Sequence, residues 1–94
     1  MIKKIHVQLV MTCPAHPEQY DVLDNRKRCY AYLRLRHGHF TVRVPKSGGE
    51  VVYESDTKGD GLFDEEEREY QLENAMKAIQ KEYKKQNKLL IFNP

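Results

Sequence analysis

A long amphipathic helix near the C-terminal end of the 94-residue chain constrains the fold more than any other feature, because its apolar side must be covered. Apolar side chains recur there at the three- and four-residue spacing of one helix face, at Leu72, Ala75, Met76, Ile79 and Tyr83. Asp64 stands where an N-cap is expected, and Glu67 three residues later completes a capping box. A helix of about 22 residues is stabilised in water mainly by packing, so another part of the chain must cover this face.

The charges of this predicted helix are sorted along its axis. Acidic residues come first, at Glu65, Glu66, Glu67, Glu69 and Glu73. Basic residues come last, at Lys77, Lys81, Lys84 and Lys85. This order suits the helix macrodipole, which is positive at the N-terminus and negative at the C-terminus. Glu73 and Lys77 also stand four residues apart, where an ion pair stabilises a helix.

The cover for the helix is predicted from a hairpin whose register can be checked. A two-residue turn at His37 and Gly38, in which Gly38 accepts a positive φ, sets the pairing of the flanking strands. One face is then apolar, with Leu35 opposite Phe40, Leu33 opposite Val42 and Ala31 opposite Val44. The other face is polar or amphipathic, with Arg36 opposite His39, Arg34 opposite Thr41 and Tyr32 opposite Arg43. A shift of one residue would mix the two faces, so the pattern favours this register.

Strands on both sides extend the same apolar face. A loop at 46–49 pairs Val44 with Val51 and Val42 with Tyr53, and a loop at 24–27 pairs Val22 with Cys29 and Tyr20 with Ala31. A further strand alternates over Ile5, Val7, Leu9 and Met11. We therefore predict a single α+β domain over residues 1–94, an antiparallel sheet of about four to five strands in a meander of hairpins, with the long C-terminal helix packed on one face. Residues 88–92 are either an edge strand or a segment docked beside the helix.

The composition is that of an ordinary soluble protein rather than a disordered or membrane-spanning one. Hydrophobic residues make up 39% of the chain and charged residues 32%. The apolar run at 89–92 is too short to span a bilayer, and the first residues lead into strand alternation rather than a signal-peptide h-region. A cytoplasmic location is therefore expected. Cys13 and Cys29 are too few for a disulfide framework, so reduced thiols are expected.

The segment that leads into the helix resembles a calcium loop of the EF-hand type. Residues at 56–67 fall at the ligand positions of that loop, and the candidate ligands are Asp56, Asp60, Leu62, Asp64 and Glu67. Gly61 permits the sharp turn, but Lys58 stands where a ligand oxygen is expected, and a strand replaces the first helix of the motif. The competing interpretation is a Gly-rich turn before an acidic helix start, which needs no metal. We expect no cofactor, with Ca²⁺ as the alternative.

Thiol and imidazole groups offer a weaker metal hypothesis. Zinc-type ligands are present at Cys13, His16, Cys29 and either His37 or His39. Their spacing matches no common zinc pattern, and buried thiols with loop histidines explain the same residues. A Cys13–His16 nucleophile rests on residue types alone, and the sequence has no phosphate loop or recognisable catalytic triad. An enzyme is therefore not expected.

The predicted outer face of the sheet is basic and aromatic. From Arg26 to Lys46 the chain has seven Lys or Arg residues and no acidic residue. The candidate binding residues are Arg26, Arg28, Tyr30, Tyr32, Arg34, Arg36 and Arg43. Arginine pairs with phosphate oxygens and tyrosine stacks on bases, so this face predicts a non-enzymatic binding module for nucleic acid or for a protein partner. The alternatives are a solvated face held by a Tyr32–Arg43 cation–π pair, or a face covered by another copy; we expect a monomer or a weak homodimer.

Three segments of the chain resemble small uncharacterised proteins of bacteria and their mobile elements. They lie at 13–22, 32–38 and 58–63 and read CPAHPEQYDV, YLRLRHG and KGDGLF. Such proteins combine several strands with one helix, and no activity is attached to them. The resemblance therefore implies a source and a fold type, and it assigns no functional residues.

Overall fold

A computed structural model describes residues 1–14, 18–57 and 63–93 of the chain. These residues form one α-helix and six strands: β1 (Lys3–Pro14), β2 (Glu18–Asp24), β3 (Cys29–Arg36), β4 (His39–Val44), β5 (Glu50–Asp56), α1 (Glu65–Lys84) and β6 (Lys88–Phe92). The α+β class is confirmed. Within the described residues, no helix is long and apolar enough to cross a membrane.

The strands form one mixed sheet in the order β5-β4-β3-β2-β1-β6. The first five strands are the predicted antiparallel meander. The strand β6 then joins the far edge and runs parallel to β1, so the prediction of a purely antiparallel sheet is wrong at this edge. The reason is the path of α1, which follows β5 and carries the chain back to the end of the sheet where β1 begins.

The central hairpin has the predicted register. Leu35 lies opposite Phe40, Leu33 opposite Val42, Arg34 opposite Thr41, and Tyr32 opposite Arg43. His37 and Gly38 have φ of 52° and 76°, which is the left-handed backbone that a two-residue hairpin turn requires.

Two β-bulges change the registers on either side of this hairpin. Val22 pairs with Ala31 and Leu23 with Cys29, so Tyr30 is an extra residue on β3. The turn before it is also one residue longer than predicted, so the predicted Val22–Cys29 and Tyr20–Ala31 pairs are wrong by two residues. On the other side Val42 pairs with Tyr53 as predicted, but Val44 pairs with Glu50 rather than Val51, and Val52 is the extra residue. A bulge adds one residue to one strand, which strict two-residue alternation does not anticipate.

The hydrophobic core lies between α1 and the inner face of the sheet. Its fully buried side chains include Phe40, Leu33, Ile79, Val7, Val22 and Val42. The helix contributes Ala75, Ile79 and Tyr83, as predicted, and also the polar Gln71. Met76 is half-buried and lies outside the core, and Met11 is 47% exposed because β1 extends beyond the cover of the helix.

Side-chain hydrogen bonds fix both ends of α1 and one edge of the sheet. Asp64 is the N-cap, as predicted, and its carboxylate accepts a hydrogen bond of 2.8 Å from the backbone N–H of Glu67. Near the other end, Gln80 accepts a hydrogen bond of 2.9 Å from the backbone N–H of Leu90 and donates one of 3.4 Å to the carbonyl of Lys88. The helix therefore occupies backbone groups along the outer edge of β6.

Candidate functional site

The outer face of the β3–β4 hairpin, on the side away from α1, gathers most of the predicted binding residues. We define the basic face as Tyr32, Arg34, Arg36, His37, His39, Thr41 and Arg43. Together with Ser47 and Gly48 these residues line a shallow depression of about 470 Å³. Four of the predicted binding residues, Tyr32, Arg34, Arg36 and Arg43, therefore share one concave surface.

Arg34 lies at the centre of the basic face, with Gln19 of β2 on one side and Thr41 of β4 on the other. Its Nε is buried and has no hydrogen-bond acceptor among the residues that the structure describes. A buried N–H of a charged group without an acceptor is unfavourable in the free protein. The side chain is therefore held among its neighbours at a cost in stability.

The other cations of the basic face are positioned by local contacts. Arg43 donates a hydrogen bond of 2.8 Å from Nη1 to the carbonyl of Gly49, in the loop after β4. Arg36 donates from Nε to Nε2 of His37 at 3.2 Å. Both contacts use one donor of a guanidinium that has five, so each arginine keeps donors for a ligand.

An acidic strip borders the basic face on the β5 side. His39 lies between two carboxylates, with its Nδ1 at 2.8 Å from Asp56 and its Nε2 at 3.3 Å from Glu54. The hydrogen bond to Asp56, together with the charges of Asp56 and Glu54, raises the pKa of His39 above its ordinary value of 6.5. A protonated His39 partly neutralises these carboxylates, which reduces their repulsion of an anionic ligand on the basic face.

The remaining predicted residues, Arg26, Arg28 and Tyr30, lie elsewhere. They line a second depression with Lys3, Lys4 and His6. The placement of Tyr30 on the outer face is wrong, because its ring packs edge-on against Tyr83 of α1 with the ring centroids 5.7 Å apart. The bulge at Tyr30 breaks the two-residue alternation and turns this ring towards the helix.

Asp24 holds Arg28 at the β2–β3 turn. The Asp24 carboxylate accepts hydrogen bonds from the backbone N–H groups of Arg26 and Arg28, from Nε of Arg28 at 2.7 Å and from the hydroxyl of Tyr30 at 3.0 Å. Burial alone would raise the pKa of Asp24, but these donors hold it below its usual range. The Asp24 carboxylate therefore stabilises the β2–β3 turn.

The calcium prediction falls partly outside the described residues, because Lys58, Asp60, Gly61 and Leu62 belong to the range 58–62. Of the other candidate ligands, Asp56 is hydrogen-bonded to His39 and Asp64 caps α1, which accounts for both without a metal. In the described part of the chain, no group of three His, Cys, Asp or Glu residues is placed to hold a metal ion. The calcium site stays a prediction.

The residues of the zinc hypothesis are not brought together where the structure describes them. Cys13 pairs with Gln19, near the start of β2, and Cys29 pairs with Leu23, near its end. Four residues of strand separate these positions, which is about 13 Å. His16 lies outside the described residues.

A buried ion pair that the sequence analysis missed joins β2 to α1. Glu18 is 3% exposed and accepts hydrogen bonds from Nε and Nη2 of Arg68, both at 2.9 Å, and from the hydroxyl of Tyr20. Burial alone would raise the pKa of Glu18, but the hydrogen bonds from Arg68 and Tyr20 and the charge of Arg68 hold it below 4.5. Burial and the neighbouring Glu18 raise the pKa of Tyr20. Glu18 alternates with the inward-facing Tyr20 and Val22, and this spacing is the sequence feature that points to its burial.

Comparison with known proteins returned no match to a protein-family model, to a curated protein or to a solved structure.

Proposed function

We propose that the protein is a non-enzymatic binding module that holds single-stranded nucleic acid on the basic face. The observation that carries the proposal is the shared depression in which one aromatic ring, Tyr32, lies among Arg34, Arg36 and Arg43. The described residues that line this depression include no carboxylate. Cations beside an aromatic ring on an open sheet face suit the phosphates and bases of a single strand.

Each side chain of the basic face has a separate role in this proposal. Arg34 lies at the centre of the basic face and contacts a phosphate. Arg36 and Arg43 extend the phosphate contacts to either side along the two strands. Tyr32 lies opposite Arg43 on the neighbouring strand and stacks on one base.

The decisive experiment is fluorescence anisotropy with labelled single-stranded and double-stranded oligonucleotides at several salt concentrations. Phosphate contacts release counterions, so three arginine–phosphate contacts to a single strand give a slope of about −2 in a plot of log affinity against log salt. The triple variant Arg34→Ala/Arg36→Ala/Arg43→Ala should lose this slope. Its matched control is Lys3→Ala/Lys4→Ala/Arg26→Ala, which removes the same charge from exposed residues of the second depression.

Two further variants test the base contact. Tyr32→Ala should weaken single-strand binding by about 1–3 kcal/mol through lost stacking, whereas Tyr32→Phe should retain it. Absence of binding at low salt would contradict the proposal. Equal loss in the arginine triple and in its control would show binding by overall charge rather than by the basic face.

An acidic protein surface is the competing ligand for the same residues, and polyglutamate is the probe for it. Binding of polyglutamate that is as tight as that of a single strand, and that does not change in Tyr32→Ala, would favour a protein partner. The stacking contribution separates the two ligands, because a polypeptide carboxylate offers no base to stack on the ring.

A further inference from the structure

We propose that the protein forms a homodimer in which the exposed side of α1 packs antiparallel against the same side of a second copy. This surface is carried by six exposed side chains, which we call the charged helix face: Glu66, Glu69, Glu73, Lys77, Lys81 and Lys84. It lies opposite the buried side of α1 and does not overlap the basic face. The inference is therefore independent of the proposed function.

The order of charges on this face is complementary to itself. When two copies of α1 lie antiparallel with the two-fold axis level with residue 75, Glu66 comes level with Lys84 of the partner subunit, Glu69 with Lys81 of the partner subunit, and Glu73 with Lys77 of the partner subunit. All three pairs share the same midpoint, so one register satisfies them together. A parallel arrangement would instead place like charges opposite each other. Self-complementarity of this kind is what an isologous two-fold interface requires.

The macrodipole explains only part of this order. Its effect on charges falls off within the first and last turns of a helix, whereas Glu73 and Lys77 lie near the middle of α1. These two residues form an ion pair of 3.6 Å within the helix, although their side chains stay 66% and 72% exposed. A second helix therefore finds the central charges accessible.

Exposed ion pairs contribute little free energy to association. An apolar surface beside the charged helix face supplies a further contribution. A groove of about 520 Å³ runs between α1 and β6 and is lined by Met76, Gln80 and Phe92 together with Glu73 and the lysines of the charged helix face. Tyr70 is 63% exposed on the same side of the helix. In the register centred on residue 75, Tyr70 borders the charged helix face and is covered when the two helices pack together. The dimer thus covers a large exposed ring and an apolar groove at once.

The geometry of the sheet gives this dimer a consequence for binding. Because α1 covers the inner face of the sheet, pairing two helices leaves both outer faces pointing away from the interface. A dimer therefore presents two copies of the outer face on opposite sides, and a ligand long enough to reach both is held by two linked contacts.

Sedimentation velocity tests the dimer with two charge-reversed variants. Wild-type protein should shift from the mass of one chain, 11.1 kDa, towards twice that mass as concentration rises. Glu66→Lys/Glu69→Lys and Lys81→Glu/Lys84→Glu should each stay monomeric at concentrations where the wild type is dimeric. An equimolar mixture of the two variants should recover a dimer, because a helix face with five basic residues out of six then meets one with five acidic residues out of six. Lys3→Glu/Lys4→Glu is the control, since it reverses two exposed charges away from α1 and should leave the dimer intact.

The outcomes that overturn the proposal are specific. If the wild-type protein stays monomeric at all concentrations, the proposed dimer does not form. If each charge-reversed variant still dimerises on its own, the interface lies elsewhere. If the mixture of the two variants fails to dimerise, the antiparallel charge pairing is wrong. Circular dichroism establishes that each variant is folded. Tyr70→Ala, which removes an exposed ring, is a second test and should weaken the dimer.

Discussion

Glu18 and Arg68 lie 50 positions apart in the chain and are joined by two parallel hydrogen bonds of 2.9 Å. The contact fixes the first turns of α1 to the start of β2. Glu18 is almost completely buried, whereas the side chain of Arg68 is 34% exposed. The position of the helix over the sheet therefore depends on a charged pair at this end as well as on apolar packing.

Replacing Glu18 by Gln should lower the free energy of unfolding at neutral pH by about 3 kcal/mol, the low end for breaking a buried ion pair, because Arg68 retains some access to water. The pH dependence should change as well. The pKa of Glu18 is below 4.5 in the folded protein, so its contribution is present above pH 4.5 and is lost as pH falls through the folded pKa. Urea unfolding between pH 2.5 and 7 should show a shallower acid loss for Glu18→Gln than for wild type. Glu50→Gln, at an exposed residue, should follow the wild-type curve.

Titration of His39 should stabilise the folded protein on the acidic side of neutrality. Its pKa is raised above 6.5 by Asp56 and Glu54, so the contribution is fully present below pH 6.5 and is lost as pH rises through the folded pKa. The melting temperature of wild type should fall relative to that of His39→Gln between pH 6 and 8.5. An NMR titration of the ring protons that gives a pKa at or below 6.5 would contradict the geometry around His39.

Arg34 should be a residue that favours binding at the expense of stability. Arg34→Met keeps an unbranched side chain that reaches about as far as Nε, and it removes the buried Nε–H that has no acceptor among the described residues. We expect the free energy of unfolding to rise by about 1 kcal/mol, and single-strand binding to weaken. Arg26→Met, at an exposed turn residue, should change neither quantity appreciably. Lower stability in Arg34→Met would show that the guanidinium is satisfied in solution.

Leu33 should be among the most sensitive positions of the core, because its side chain is fully buried between the sheet and α1. Leu33→Ala should lower the free energy of unfolding by about 2–5 kcal/mol. Met11→Ala is the comparison, since Met11 lies on the alternation predicted to face the core but is largely exposed. A cost within about 0.5 kcal/mol is expected there. Urea melts of both variants measure the difference.

The calcium prediction has its own test. Millimolar Ca²⁺ should shift the amide resonance of Gly61 and its neighbours if residues 56–67 bind the ion, and Lys58→Asp should tighten the site by adding an oxygen ligand and removing a repelling charge. An unchanged spectrum in both proteins would exclude the site. His39→Gln is informative as a third sample, because it releases Asp56 from its hydrogen bond with His39.

The β3–β4 hairpin was predictable because a turn with a positive-φ glycine and strict alternation of side chains both specify one register. The bulges at Tyr30 and Val52 were not predictable, because the residue types of β3 and β5 do not mark which residue is the extra one. The bulge also explains why Tyr30 was placed on the wrong face. The parallel pairing of β6 depends on where α1 ends relative to β1, which is a property of the whole fold.

The candidate site was predictable to the extent that it lies on regular strands. Tyr32, Arg34, Arg36 and Arg43 alternate with buried residues, so their common face follows from period two. The separate position of Arg28 does not follow from this spacing, because its partner Asp24 comes from the preceding strand and binds it across the turn. The residue type shows that Arg28 is a cation, but only the folded structure shows that a carboxylate binds it.

The hydrogen bonds from Gln80 to β6 have a consequence for aggregation through the edges of the sheet. An unprotected edge strand is a template for further strands and hence for fibrous aggregation. Gln80 occupies backbone groups of Lys88 and Leu90 on one edge, and on the opposite edge β5 is distorted by the bulge at Val52 and carries Glu54 and Asp56. Both edges of the sheet are therefore unfavourable for the addition of further strands. Crowding in a concentrated solution should therefore produce discrete particles that redissolve on dilution, rather than growing filaments.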